Sequence, residues 1–131
     1  MTPTYDASAR RGKPLFWNGT LVRSRFFDAL SLILPAGEAF LIDTLETWRT
    51  RCPAPIDTRL HSEVERFVRE ERAHRQAHAR YNDALIAGLP GAHAVAERAN
   101  RVTDELERLD LPMKIALVAA FEHLTAVLAE E

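Results

Sequence analysis

Glu71 and His74 stand three residues apart in a stretch that reads as helix, with His78 four residues further on. One helical turn separates the first two, so a carboxylate oxygen and an imidazole nitrogen can reach one point, the arrangement that binds a divalent metal ion. The spacing alone is common in charged helices. Its setting is what distinguishes it. Leu60, Val64, Phe67, Glu71, His74, His78, Tyr81 and Leu85 follow alternating steps of four and three, the stride of a buried seam between packed helices. Both ends of that seam are apolar, so its ionisable middle is expected to point into the bundle.

Two other stretches repeat the anomaly. Leu34, Glu38, Leu41, Leu45 and Trp48 take the same stride with one carboxylate among apolar neighbours, and so do Ile115, Val118, Glu122, Thr125 and Ala129. A buried carboxylate without a partner is costly, so each of these glutamates needs compensation. Arg66, Arg69, Arg72 and Arg75 could supply it as an ion-pair network, but most lie off the seam. A metal ion compensates such acids directly, which favours a metal or polar catalytic site around Glu71 and His74, with His78 one turn further along and Glu38 and Glu122 on the seams of two other helices.

The remaining polar and aromatic residues read as supporting. His123 points about 100° away from Glu122 around its helix and is expected at the surface or as a hydrogen-bond donor behind the ligands. Glu70, His61 and His93 are expected in solvent, Trp17 and Trp48 as packing anchors, and Tyr81 and Asn82 as packing or supporting groups. Cys52 has no histidine near it in sequence and is not expected to be a nucleophile. No residue is assigned a catalytic role from spacing alone.

The elements that must position these residues are all helical. Residues 1–23 read as an N-terminal arm, and 24–131 as a single helical domain. A first helical stretch covers 24 to 51, with a kink or restart expected at Pro35-Ala36-Gly37. Cys52-Pro53-Ala54-Pro55 interrupts it. Asp57 then caps a long helix to about Ala87, stopped by Gly88. Leu89-Pro90-Gly91 is a turn, residues 92–109 form a shorter polar helix, and Asp110-Leu111-Pro112 opens a last apolar helix to about Ala129.

Composition sets the outer limits. The chain has 131 residues, 47% of them hydrophobic, and a formal charge of −2 from 17 basic and 19 acidic residues, which is enough for one core and names no nucleic-acid or anionic-membrane partner. One cysteine excludes an internal disulfide. No uninterrupted apolar run of about 18 residues is present, and the first thirteen residues lack the apolar middle of a secretory signal, so no membrane span and a cytoplasmic location are expected.

Several segments together, Ala29-Leu30-Ser31, Pro35-Ala36-Gly37-Glu38-Ala39-Phe40, Glu70-Glu71-Arg72-Ala73-His74 with His78 and Asn82, and Ala120-Phe121-Glu122-His123-Leu124-Thr125-Ala126, resemble the bacterial family of predicted metal-dependent hydrolases. The likeness covers roughly residues 24 to 131 in the same order. It implies an all-α, ferritin-like bundle with Glu38, Glu71, His74 and Glu122 as ligands and His78 as a further one. Ferritin-like sites take single glutamates from two helices and a Glu-x-x-His from each of two others. This sequence carries two of the former and one of the latter, and it ends at Glu131 where family members continue into a second Glu-x-x-His. The bundle is therefore expected to be incomplete, to be completed as a homodimer, or to bind one metal with His78 substituting. The resemblance implies a divalent ion, iron or manganese ahead of zinc, acting on a small molecule. An oxidase or oxygenase, or a non-catalytic interaction bundle, stands as the alternative.

Overall fold

The computed structural model describes residues 16–52 and 57–130, and these form four α-helices and no strand. They are α1 (Leu21–Arg51), α2 (Thr58–Gly88), α3 (Ala92–Leu106) and α4 (Leu111–Glu130). Of the expected N-terminal arm, residues 1–15 lie outside the described residues, and Leu21 already belongs to α1. The proline-rich break between the first two helices falls partly on residues 53–56, also outside them.

Side-chain caps set the starts of α1, α2 and α4, and a left-handed glycine sets that of α3. Thr20 caps α1 by accepting from the Arg23 amide at 3.2 Å, and Asp57 caps α2 by accepting from the amides of Arg59 and Leu60 at 2.9 and 3.3 Å. Gly91, at φ +86°, supplies the left-handed residue that turns the chain from α2 into α3. Asp110 accepts from the Met113 amide at 3.0 Å and opens α4, with Pro112 in the first turn, where a missing N–H costs nothing. The shorter helix ends at Leu106, three residues before the expected limit.

Pro35 does not restart the first helix. α1 runs unbroken from Leu21 to Arg51 through it. A proline inside a helix deprives the carbonyl four residues earlier of its donor, here that of Ser31. That carbonyl accepts instead from Asn82 Nδ2 of α2 at 2.7 Å. The loss is repaired across the helix pair.

α1 is the central element. It packs against each of the other helices, most extensively α2, whereas α4 closes along neither α2 nor α3. This arrangement explains why α1 buries residues around its whole circumference, from Leu32 and Ala36 to Phe40, Leu41, Ile42 and Thr44. One apolar cluster joins Phe40, Leu41 and Ile42 to Val68 of α2 and Val118 of α4, and a second joins Leu32 to Tyr81, Leu85 and Ala92. Early α1 thus meets late α2, so the two run antiparallel. Glu38, Glu71 and His78 fall between the two clusters in both helices.

Two expectations for the seam are revised. Leu60 is exposed, and Val68, one position off the predicted stride, is the deeper residue. His61 is half-buried rather than exposed, stacked on Trp48 with centroids 5.0 Å apart. Trp48 anchors packing as expected, and Trp17 donates to Asp28. Among the described residues, α4 between Leu111 and Ala129 is also long and apolar enough to cross a membrane by length and composition, although Lys114 and Glu122 interrupt it.

Candidate metal centre

Glu38 and Glu71 are buried, as their place on the helical stride predicts. Together with His74 they each offer a ligand atom within 4.8 Å of the others. His74 is 50% exposed, so it does not point into a closed core as expected. The reason is architectural: α4 does not close along α2, and His74 lines the open groove between them. This groove, a cavity of about 340 Å³, is bounded by Glu38 of α1, Glu71, His74 and His78 of α2, and Phe121 and Glu122 of α4. All five sequence-derived candidates therefore face one space. Glu122 borders it without joining the tight set of three.

Hydrogen bonds fix the two imidazoles. His74 Nδ1 lies 3.1 Å from Glu71 Oε1, and a carboxylate oxygen accepts, so Nδ1 is the donor of this contact. At His78 the chain is longer. Asn82 donates through Nδ2 to the Ser31 carbonyl, which leaves its Oδ1 to accept from Ser31 Oγ at 2.8 Å. With the hydroxyl proton committed to Asn82, Ser31 Oγ can only accept from His78 Nδ1, 3.1 Å away. The Nε2 lone pair of His78 then faces Glu38 Oε1 at 3.7 Å. A metal-ligating histidine is held in this way, by an acceptor on the ring nitrogen away from the ion.

The electrostatics are those of acids crowded out of water. Burial first, then the charges of Glu71 and Glu122, push the Glu38 carboxyl up to about 8 against the opposing charge of Arg75. Burial and Glu71 also raise Glu122, against His74. Burial and then His74 lower the pKa of His78, which keeps its ring neutral and able to bind a cation. Glu38 Oε2 is buried with no hydrogen-bond partner.

Beyond the charge of Arg75, arginines do not fill this need. Arg69 pairs with Glu65 at 3.4 Å and Arg72 with Glu46 at 2.5 Å, both away from the groove. Among the described residues no arginine forms an ion pair with Glu38, Glu71 or Glu122. The donor set of carboxylates, imidazoles and one orphaned buried oxygen fits a divalent cation.

The other candidates separate cleanly. Tyr81 is buried and donates to Asp28 Oδ1 at 2.5 Å, which places it in the apolar end of the helix pair rather than at the groove. Asn82 is a positioning residue. His93, Glu70 and His123 are exposed as expected, and Cys52 is a free thiol at the end of α1. Ser31, Gly37 and Phe121 had no role from sequence. Ser31 lies seven residues before Glu38, on the same helical face, which is the signal that could have found it.

The sequence profile of the predicted metal-dependent hydrolases matches residues 4–131. No curated protein and no solved structure matches the chain.

Proposed function

Because the chain belongs to the family of predicted metal-dependent hydrolases, we propose that Glu38, Glu71 and His74 hold a divalent metal ion, with His78 and Glu122 completing its shell, in a ferritin-like site. The observation that carries this reading is the buried Glu38 carboxyl, whose Oε2 has no partner while Glu71 and His74 offer ligand atoms within 4.8 Å. The chemistry such an ion would supply there is acidification of water and polarisation of a substrate oxygen. The chain's own residues do the rest. His78 stays neutral and oriented through Ser31 and Asn82. A glutamate not fully engaged with the metal would take up and return a proton, and Glu122, which lines the groove outside the tight set of three, is the candidate if it binds the ion only loosely. Mixed carboxylate and imidazole donors suit iron or manganese, with zinc also accommodated.

Purified without a histidine tag, the protein is expected to carry stoichiometric iron, manganese or zinc, and His74→Ala to lose it. Stably folded, metal-free protein that takes up none of these ions sinks the proposal in favour of a non-catalytic bundle. Oxygen consumption after aerobic loading with ferrous ion would move the reading from hydrolysis to oxidation.

Self-association is the partner arrangement that goes with this reading. Met113, Leu124 and Val127 are exposed on one face of α4, about 180° from Glu122, so contact there leaves the groove open. Light scattering of the eluted protein tests it.

A further inference from the structure

A second cavity, about 440 Å³, lies on the other side of α4, between α1 and α3. Its walls are almost wholly apolar, with Ile33, Ala36 and Phe40 from α1, Val95 and Val102 from α3, and Phe121 from α4. Among the described residues, Phe121 is the one that lines both this cavity and the metal groove. Its ring lies against Gly37, where an added Cβ would sit 2.8 Å from the ring's Cζ. Only a glycine lets the ring approach α1 this closely, so Gly37 sets the partition between an apolar chamber and a polar one.

Accepting the metal site proposed above, we infer that the substrate is a molecule with an aliphatic chain. The chain occupies the apolar cavity, and an oxygen-bearing head group passes Phe121 to the metal groove. The volume is that of pockets that enclose small molecules, about 300–1,000 Å³. The two chambers share Phe121 as a common wall, so movement of that one ring would join them, and this is what favours a substrate chain over a partner helix. The cavity is also half-open, and Val95 and Val102 are exposed at its α3 wall, which gives a chain a way in.

The test is direct binding of straight-chain alkanoates, from butanoate to dodecanoate, followed by calorimetry on metal-free and manganese-loaded protein. Affinity is expected to rise about threefold to fourfold per added methylene until the cavity is full. Val102→Glu, at an exposed position that tolerates charge in the fold, is expected to weaken dodecanoate binding about tenfold or more without changing metal content. In the manganese-loaded protein, ligand proton relaxation should be strongest next to the carboxylate and weakest at the methyl end. Affinity independent of chain length, or unaffected by Val102→Glu, overturns the inference. So does a protein whose oligomer dissociates in Val102→Glu while no alkanoate binds, since the cavity then houses a second copy. The metal-free series separates the two readings: chain-length dependence without metal uptake removes the metal site and keeps the cavity, and metal uptake without it does the reverse.

Discussion

Asn82 Nδ2 donates to the carbonyl of Ser31 at 2.7 Å, and that carbonyl is the one Pro35 leaves without its helical donor. A sequence feature that ordinarily breaks a helix here creates a docking point for a side chain of the neighbouring one. Because Asn82 is held by this bond, Ser31 Oγ is committed to Asn82 Oδ1, and His78 is left as the Nδ1–H tautomer with Nε2 toward Glu38.

Substitutions along this chain should therefore act on metal affinity more than on folding. Asn82→Ala and Ser31→Ala are each expected to weaken metal binding about 10–100-fold, the usual effect of removing a ligand's supporting partner. Pro35→Ala supplies an N–H that competes with Asn82 for the Ser31 carbonyl. It is expected to raise or leave unchanged the Tm of the metal-free protein while lowering metal affinity. Competition with a fluorescent chelator measures the affinity; equal affinity in all three variants would remove His78 from the shell.

Most of what positions the site is legible in the sequence, and the rest fails for identifiable reasons. Asp57 caps α2 as expected because capping is local, whereas Gly88 falls inside the helix and Leu89 is its C-cap. Glu38 and Glu71 are buried where the stride of four and three puts them, because α1 and α2 pack along their length. His74 is half exposed because a stride shows which face a residue occupies and not whether another helix covers it. The restart expected at Pro35 does not occur because the compensation comes from Asn82, far away in sequence. Gly37 and Phe121 were invisible as a pair, since their contact joins α1 to α4.

The pH dependence of the metal-free protein should carry the signature of Glu38. Its carboxyl titrates near 8 when folded against an ordinary value of 4.5, so between these limits the folded state holds more protons than the unfolded one. Stability from this group is complete below its unfolded pKa and is lost as pH rises through about 8. Glu122 is raised and acts in the same direction, while His78 is lowered and costs stability as pH falls below its ordinary 6.5. Thermal melts of metal-free protein between pH 6.5 and 8.5 isolate the acids, and Tm is expected to fall across that range. Metal binding displaces the Glu38 proton, so metal affinity should rise over the same window. A flat Tm profile would contradict the crowding of acids in the groove.

Gly37→Ala sets two effects against each other. Alanine is the better helix former by about 1 kcal/mol, but its Cβ meets the end of the Phe121 ring at 2.8 Å. The ring can yield, because cavities of about 340 and 440 Å³ adjoin it on either side. The expected result is a Tm within a few degrees of the parent, since opposing terms of about 1 kcal/mol nearly cancel. Alkanoate affinity should change by more than stability does. A large loss of stability would mean that the ring is held fast and the partition is rigid.

Glu38→Gln distinguishes a metal site from a structural ion-pair network, because the two predict opposite signs. In a network, removing the charge breaks a buried pair and destabilises the fold, typically by about 3–5 kcal/mol. In a metal site without its ion, the same change relieves the repulsion from Glu71 and Glu122 and the burial of an ionisable carboxyl. Metal-free Glu38→Gln is therefore expected to melt at or above the parent at pH 8, and to flatten the fall in Tm between pH 6.5 and 8.5. The parent, by contrast, should gain stability from added manganese or ferrous ion as RT ln(1 + [M]/Kd), about 2.7 kcal/mol at one hundred times Kd, and the variant little or none. Paired melts of the two proteins with and without metal give both comparisons. A destabilised, metal-indifferent variant beside a metal-indifferent parent would assign Glu38 to packing electrostatics.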